Sequence, residues 1–79
     1  MAQALNNQNK KIRVLVVDDE RGARMALEVP LRLSGYEVTA VADGRAAIEL
    51  GQKNGFDIVL TDVFMPGVGG LDVVREFRR

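Results

Sequence analysis

Residues 12–17 (IRVLVV) form a nearly continuous, β-branched apolar run. Such a run suits a strand buried on both faces, as in a parallel sheet. The acidic triplet Asp18, Asp19 and Glu20 ends it. Ala23, Leu27 and Leu31 then recur at helical spacing, which predicts a helix that begins within residues 21–23 and stops at Gly35. Pro30 falls inside this helix, where it removes the hydrogen bond to the Ala26 carbonyl at a cost of about 3 kcal/mol, so a kink or an early fray is expected. Residues 36–41 (YEVTAV) read as a second, shorter strand. Asp43-Gly44 signals a turn, and Asp43 is placed to cap a helix over 45–53 that Asn54-Gly55 stops. Residues 56–61 (FDIVLT) are the third strand. A third helix is predicted over 70–79 (GLDVVREFRR), with Leu71, Val74 and Phe77 or Arg78 on successive turns.

Strands alternating with helices imply right-handed crossovers and a parallel sheet, hence an α/β domain. Residues 1–11 (MAQALNNQNKK) are polar and amide-rich and lack the apolar core of a signal peptide. They are expected to be a disordered tail ahead of a domain over 12–79. A chain of 79 residues allows one small domain, which buries only about 60% of its unfolded surface. Hydrophobic residues at 47% and charged residues at 28% suit a globular chain. The formal net charge is zero, which gives no electrostatic case for nucleic acid or an anionic membrane as partner. The chain has neither cysteine nor histidine, which excludes disulfides, thiolate metal sites and imidazole catalysis. Carboxylates remain as the strong metal ligands, and they favour hard cations such as Mg²⁺. No apolar run is long enough to span a membrane, and the expected location is the cytoplasm.

In an open parallel sheet, ligands bind beyond the carboxyl ends of the strands. Asp18 and Asp19 follow the first predicted strand and Asp62 follows the third. If those strands are neighbours, three carboxylates converge. Two such charges about 4 Å apart repel by roughly 4 kcal/mol at an effective dielectric of about 20, and a divalent cation removes that repulsion. The trio therefore reads as a Mg²⁺ site. After Asp62 come Pro66, which fixes the backbone, and Gly67, Gly69 and Gly70, which let it turn sharply. A loop this stiff can hold a main-chain carbonyl, such as that of Phe64, against the metal. A carboxylate beside Mg²⁺ can also act as nucleophile towards a phosphoryl group. Plainer roles stand beside these. Acids after a strand are favoured by the dipole of the next helix, and Asp62 alone suits a turn or cap. Phe64 and Met65 suit packing, Thr61 is an ordinary strand residue, and Asp57 and Glu37 lie at the opposite strand ends, where solvation is expected. Asp72 suits the first turn of a helix. The G-x-G-x-x-G spacing of a dinucleotide loop is absent.

VLVVDDE, GYEV, ADG and DIVLTDVFMPGVGGLDVV together resemble the pattern of a response-regulator receiver domain of two-component signalling, over residues 12–79. The most specific parts are the paired acids and the D-x-x-M-P-x-x-x-G run at Asp62, Met65, Pro66 and Gly70. The resemblance implies a flavodoxin-like (CheY-like) doubly wound parallel sheet, here truncated to β-α-β-α-β-α with strand order 2-1-3. It implies that Asp62 accepts a phosphoryl group from the phosphohistidine of a sensor histidine kinase or histidine phosphotransfer protein. Asp19 would bind Mg²⁺ directly and Asp18 directly or through water, with Asp62 and the Phe64 carbonyl as further ligands. Such a protein is not an enzyme towards a separate substrate, although it catalyses its own aspartyl phosphorylation and dephosphorylation.

A complete receiver has five β-α units. Its serine or threonine after the fourth strand and its lysine after the fifth match no residue of this chain. Lys10 and Lys11 precede the first strand, roughly 20 Å from the acids at about 3.3 Å per residue, and Lys53 ends a helix that runs back to that far end. Arg21 and Arg24, in the first turn of the first helix, are the nearer cations. The far edge of the third strand is expected to be open and apolar (Phe56, Ile58, Val59, Leu60), which invites self-association. Two alternatives follow: a non-switching fragment that acts by dimerisation or partner docking, and an aspartate-nucleophile phosphatase. The latter wants a second acid two residues after its nucleophile, where this chain has Phe64.

Overall fold

The computed structural model describes residues 11–78; the predicted polar tail, apart from Lys11, lies outside them. Six elements alternate along the chain: β1 (Arg13–Val17), α1 (Arg21–Leu33), β2 (Glu37–Val41), α2 (Gly44–Lys53), β3 (Ile58–Thr61) and α3 (Gly70–Phe77). The sheet is parallel, in the order β2-β1-β3, as expected. The apolar run of β1 sits at its centre, and Val14, Leu15, Val16 and Val17 are all 1% exposed or less. Because side chains alternate along a strand, this one run feeds two cores. Leu15 and Val17 meet Ala47 of α2 and Val73 of α3, with Ile48, Val59, Met65, Val68 and Phe77 around them. Val14 and Val16 meet Val38, and Leu31 of α1 packs on the same face. Each fully buried side chain of this kind contributes about 1.5–3 kcal/mol, so β1 is the principal source of stability.

The parallel register is level at both ends. Arg13 pairs with Glu37 at one end, and Val17 pairs with Val41 and Thr61 at the other. At the amino end Arg13 gathers all three strands. Its main-chain N–H donates to the Asp57 carboxylate at 2.8 Å, and its carbonyl accepts from the Asp57 N–H at 2.8 Å. Its guanidinium donates to the Gly55 carbonyl, lies 5.0 Å over the Phe56 ring and faces the Glu37 carboxylate at 3.8 Å. Asp57 and Glu37 are exposed, as expected, and each also meets Arg13. The same contacts take up Phe56 and Asp57, so β3 begins at Ile58 rather than at residue 56.

The predicted fray of α1 does not occur. The helix continues through Pro30 to Leu33. Pro30 lacks a donor, but its carbonyl still accepts from Ser34 N–H at 3.0 Å at the end of the helix. Gly35, at φ 99°, turns the chain out of the helix as predicted. Asp43 caps α2 through the Ala46 N–H at 2.8 Å. On α3 the expected stripe is corrected. Gly70 and Val73 are buried and Phe77 joins the core, whereas Leu71 is 65% exposed and lines an outer groove with Val74, Arg75 and Arg78. Gly70 sets this rotation, because it lies so close to the Asp62 carbonyl that a Cβ would overlap it.

A three-carboxylate site at the carboxyl end of the sheet

The level register carries Asp18 and Asp62 out of adjacent strands side by side. Asp62 N–H donates to the Val17 carbonyl at 3.0 Å, the last rung between β3 and β1, and Asp18 N–H donates to the Val41 carbonyl of β2 at 3.2 Å. Beyond these rungs the chain turns and the side chains are released. One carboxylate oxygen from each of Asp18, Asp19 and Asp62 lies within 4.8 Å of the others. These are the three acids expected to converge.

Local bonds set the turn that displays them. Asp18 Oδ1 accepts from Glu20 N–H at 3.0 Å. The Asp18 carbonyl accepts from the Arg24 guanidinium at 3.0 Å. Glu20, the third acid of the run, takes a different part. Its carboxylate accepts from Ala23 N–H at 2.7 Å and Gly22 N–H at 3.3 Å, which caps α1. The plainer roles foreseen for the acidic run are thus shared, the turn bond by Asp18 and the helix cap by Glu20.

The loop from Asp62 to α3 is held on both sides. Thr61 Oγ1 donates to the Asp62 carbonyl at 3.0 Å, and Gly70 N–H donates to the Val63 carbonyl at 3.0 Å. Asp72 accepts from Gly69 N–H at 3.2 Å, the first-turn role expected of it. Met65 and Val68 anchor the loop in the core, and Gly67, at φ 76°, follows Pro66 at the bend. Phe64 departs from expectation: its side chain does not pack but stands 86% exposed. Gly44, at the start of α2, abuts the Val68 carbonyl so closely that a Cβ would overlap it. This second anchor of the loop was visible in the sequence only as half of a turn signal. The Arg24 contact had no sequence signal beyond its place in the first turn of α1. Lys11 and Lys53 stay at the opposite end of the elements they flank.

Three carboxylate oxygens are a hard donor set, of the kind Mg²⁺ selects. Two ligands of one octahedral Mg²⁺ lie at most about 4.2 Å apart, twice its usual bond length. A spacing within 4.8 Å therefore closes by small side-chain rotations or by one ligand acting through water, and the residues fit the ion.

The family model of the response regulator receiver domain matches residues 14–79. Response regulator MprA of Mycolicibacterium vanbaalenii is 43% identical over 67 residues, which are 85% of this chain and 29% of that protein. The chemotaxis protein CheY4 of Vibrio cholerae superposes with a TM-score of 0.82 at 39% identity, over 87% of this chain and 57% of its own. Response regulator protein TrrA of Thermotoga maritima, solved in complex with Mg²⁺-BeF, gives a TM-score of 0.80 at 39% identity, over 85% of this chain and 58% of its own. TrrA has also been solved in complex with the histidine kinase ThkA. The chain thus spans less than a third of MprA and somewhat more than half of the solved chains. With a match across most of its length, on a fold and a sheet order expected of these proteins, the chain belongs to the response regulator receiver domain family.

Proposed function

We propose that Asp62 is a phosphoacceptor, loaded from the phosphohistidine of a sensor histidine kinase or a histidine phosphotransfer protein with Mg²⁺ at the site. The observation that carries this reading is the convergence of Asp18, Asp19 and Asp62 within 4.8 Å at the ends of two adjacent strands. An Asp62 carboxylate oxygen forms the new bond to phosphorus as the phosphorus–nitrogen bond breaks, and the departing imidazole takes up a proton. Bound Mg²⁺ neutralises charge on the transferring oxygens. In this reading Asp19 would hold the ion directly and Asp18 directly or through water, with Asp62 and the Phe64 main-chain carbonyl as further protein ligands. Pro66 and Gly70 would shape the loop that carries that carbonyl. The Mg²⁺-BeF complex and the kinase complex of TrrA support the choice of ion and partner. The chain acts on its own aspartate rather than on a separate substrate, and in the cytoplasm. No helix among the described residues is long and apolar enough to cross a membrane. The test is incubation with a small acyl-phosphate donor and Mg²⁺, read by intact mass. One added phosphoryl group that is lost in Asp62→Asn is expected, and an unmodified chain would overturn the reading. Hydrolysis of a simple phosphomonoester would favour the phosphatase alternative, against which the exposed Phe64 already stands.

One observation favours a second role. Among the described residues no strand pairs with the outer edge of β3, where Ile58 is 40% exposed. An open edge is a template for another strand, so self-association through β3 accompanies the phosphoacceptor role, without direct contact to nucleic acid. Sedimentation velocity across a concentration series should show dimers or larger species, and a compact monomer throughout would exclude this role.

A further inference from the structure

Arg24 sits one turn into α1, with its backbone fixed by the bond from its N–H to the Glu20 carbonyl at 3.0 Å. From there its side chain doubles back six residues, and Nη1 donates to the Asp18 carbonyl at 3.0 Å in a partly buried position. That carbonyl belongs to the peptide plane joining Asp18 to Asp19. The ψ of Asp18 and the φ of Asp19 meet at this plane, and an uncompensated change in either turns the two carboxylates relative to one another, so holding the plane restricts how the pair is aimed at Asp62. The other bonds at this corner leave the plane itself unheld. The Asp18 N–H is committed to β2, and its Oδ1 is committed to the turn at Glu20. A guanidinium suits the task, being planar, permanently charged and pre-organised for directional bonds.

We propose that Arg24 is a positioning residue: its guanidinium pins the Asp18–Asp19 peptide plane so that both carboxylates face Asp62. This inference rests on reading the trio as a Mg²⁺ site. Partners that orient metal ligands without touching the ion commonly change metal affinity by about 10–100-fold when removed, and Arg24 acts at the low end of that range because it orients main chain.

The test uses the full chain and amide ¹H–¹⁵N spectra, with Mg²⁺ as the only added ligand. R24M is expected to weaken Mg²⁺ binding about tenfold. Without Mg²⁺ it is expected to speed hydrogen exchange of the Glu20 amide, whose bond to Asp18 depends on the same turn. R21M removes the same charge from the same helical turn. It is expected to leave the affinity within about twofold, since an exposed charge is screened. Wild-type affinity and wild-type Glu20 exchange in R24M would overturn the proposal. An equal loss in R21M would overturn it too, by showing that the field of the helix end is what matters. If the wild-type chain itself ignores Mg²⁺, the metal reading fails; Glu20 exchange in R24M then still decides whether the guanidinium holds the turn. Should R24M lose its dispersed spectrum, R24Q, with a shorter side chain of good helix propensity, carries the same test.

Discussion

Glu20 and Asp19 are adjacent acids with separate tasks. The Glu20 carboxylate is committed to two N–H groups at the start of α1, while the Asp19 carboxylate joins the trio. Glu20→Ala should therefore cost about 1 kcal/mol of stability, as for a lost N-cap, seen as a lower denaturant midpoint, with Mg²⁺ affinity unchanged. Gly70 makes the opposite prediction. A Cβ there would overlap the Asp62 carbonyl, which is main chain and cannot swing aside. Gly70→Ala should cost about 1–3 kcal/mol, as other overpacking changes do, and should also slow phosphorylation of Asp62 by an acyl-phosphate donor. Asp18, Asp19 and Asp62 were legible in the sequence because each follows an apolar run at a strand's end. Arg24 and the Arg13–Asp57 pair were not, since their partners are fixed by a turn and a register that no local pattern encodes.

For the helices, existence was easier to read than orientation. Eight residues of α3 admit two apolar stripes, Leu71 with Val74 or Val73 with Phe77, and spacing cannot choose between them. The choice is made where Gly70 presses on the Asp62 carbonyl, which turns Val73 and Phe77 inward. Accordingly Leu71→Lys should stay within about 0.5 kcal/mol of the parent chain, as exposed substitutions do. Val73→Lys should remove the cooperative transition, because it places an unpaired charge in the core; thermal and denaturant melts of the two variants check this. In α1 Pro30 does not end the helix early. Its cost is real but local, so the helix carries on to Leu33. Pro30→Ala restores the missing donor to the Ala26 carbonyl and should raise stability by about 1–3 kcal/mol, part of the interior proline penalty, in the same denaturation assay.

Across the whole molecule alternation of strands and helices gave the parallel sheet, while the strand order 2-1-3 was legible only through the family resemblance, and the acids meet because that order makes the first and third strands neighbours. What the pattern could not supply was the register, and the site depends on it. Val17 stands opposite Thr61, so the residues that follow them meet. A slip of one residue would move Asp62 along by about 3.3 Å and turn its side chain to the other face of the sheet. In a mispaired or unfolded chain the three acids are scattered weak ligands, and only the correctly paired sheet assembles them. On the proposed reading of the trio, Mg²⁺ would act as a proofreader of strand pairing, rewarding one alignment over every rival. At about 100 times its Kd it should add roughly 2.7 kcal/mol to that alignment alone, so an ion known for helping chemistry would, in this chain, also select the fold that performs it.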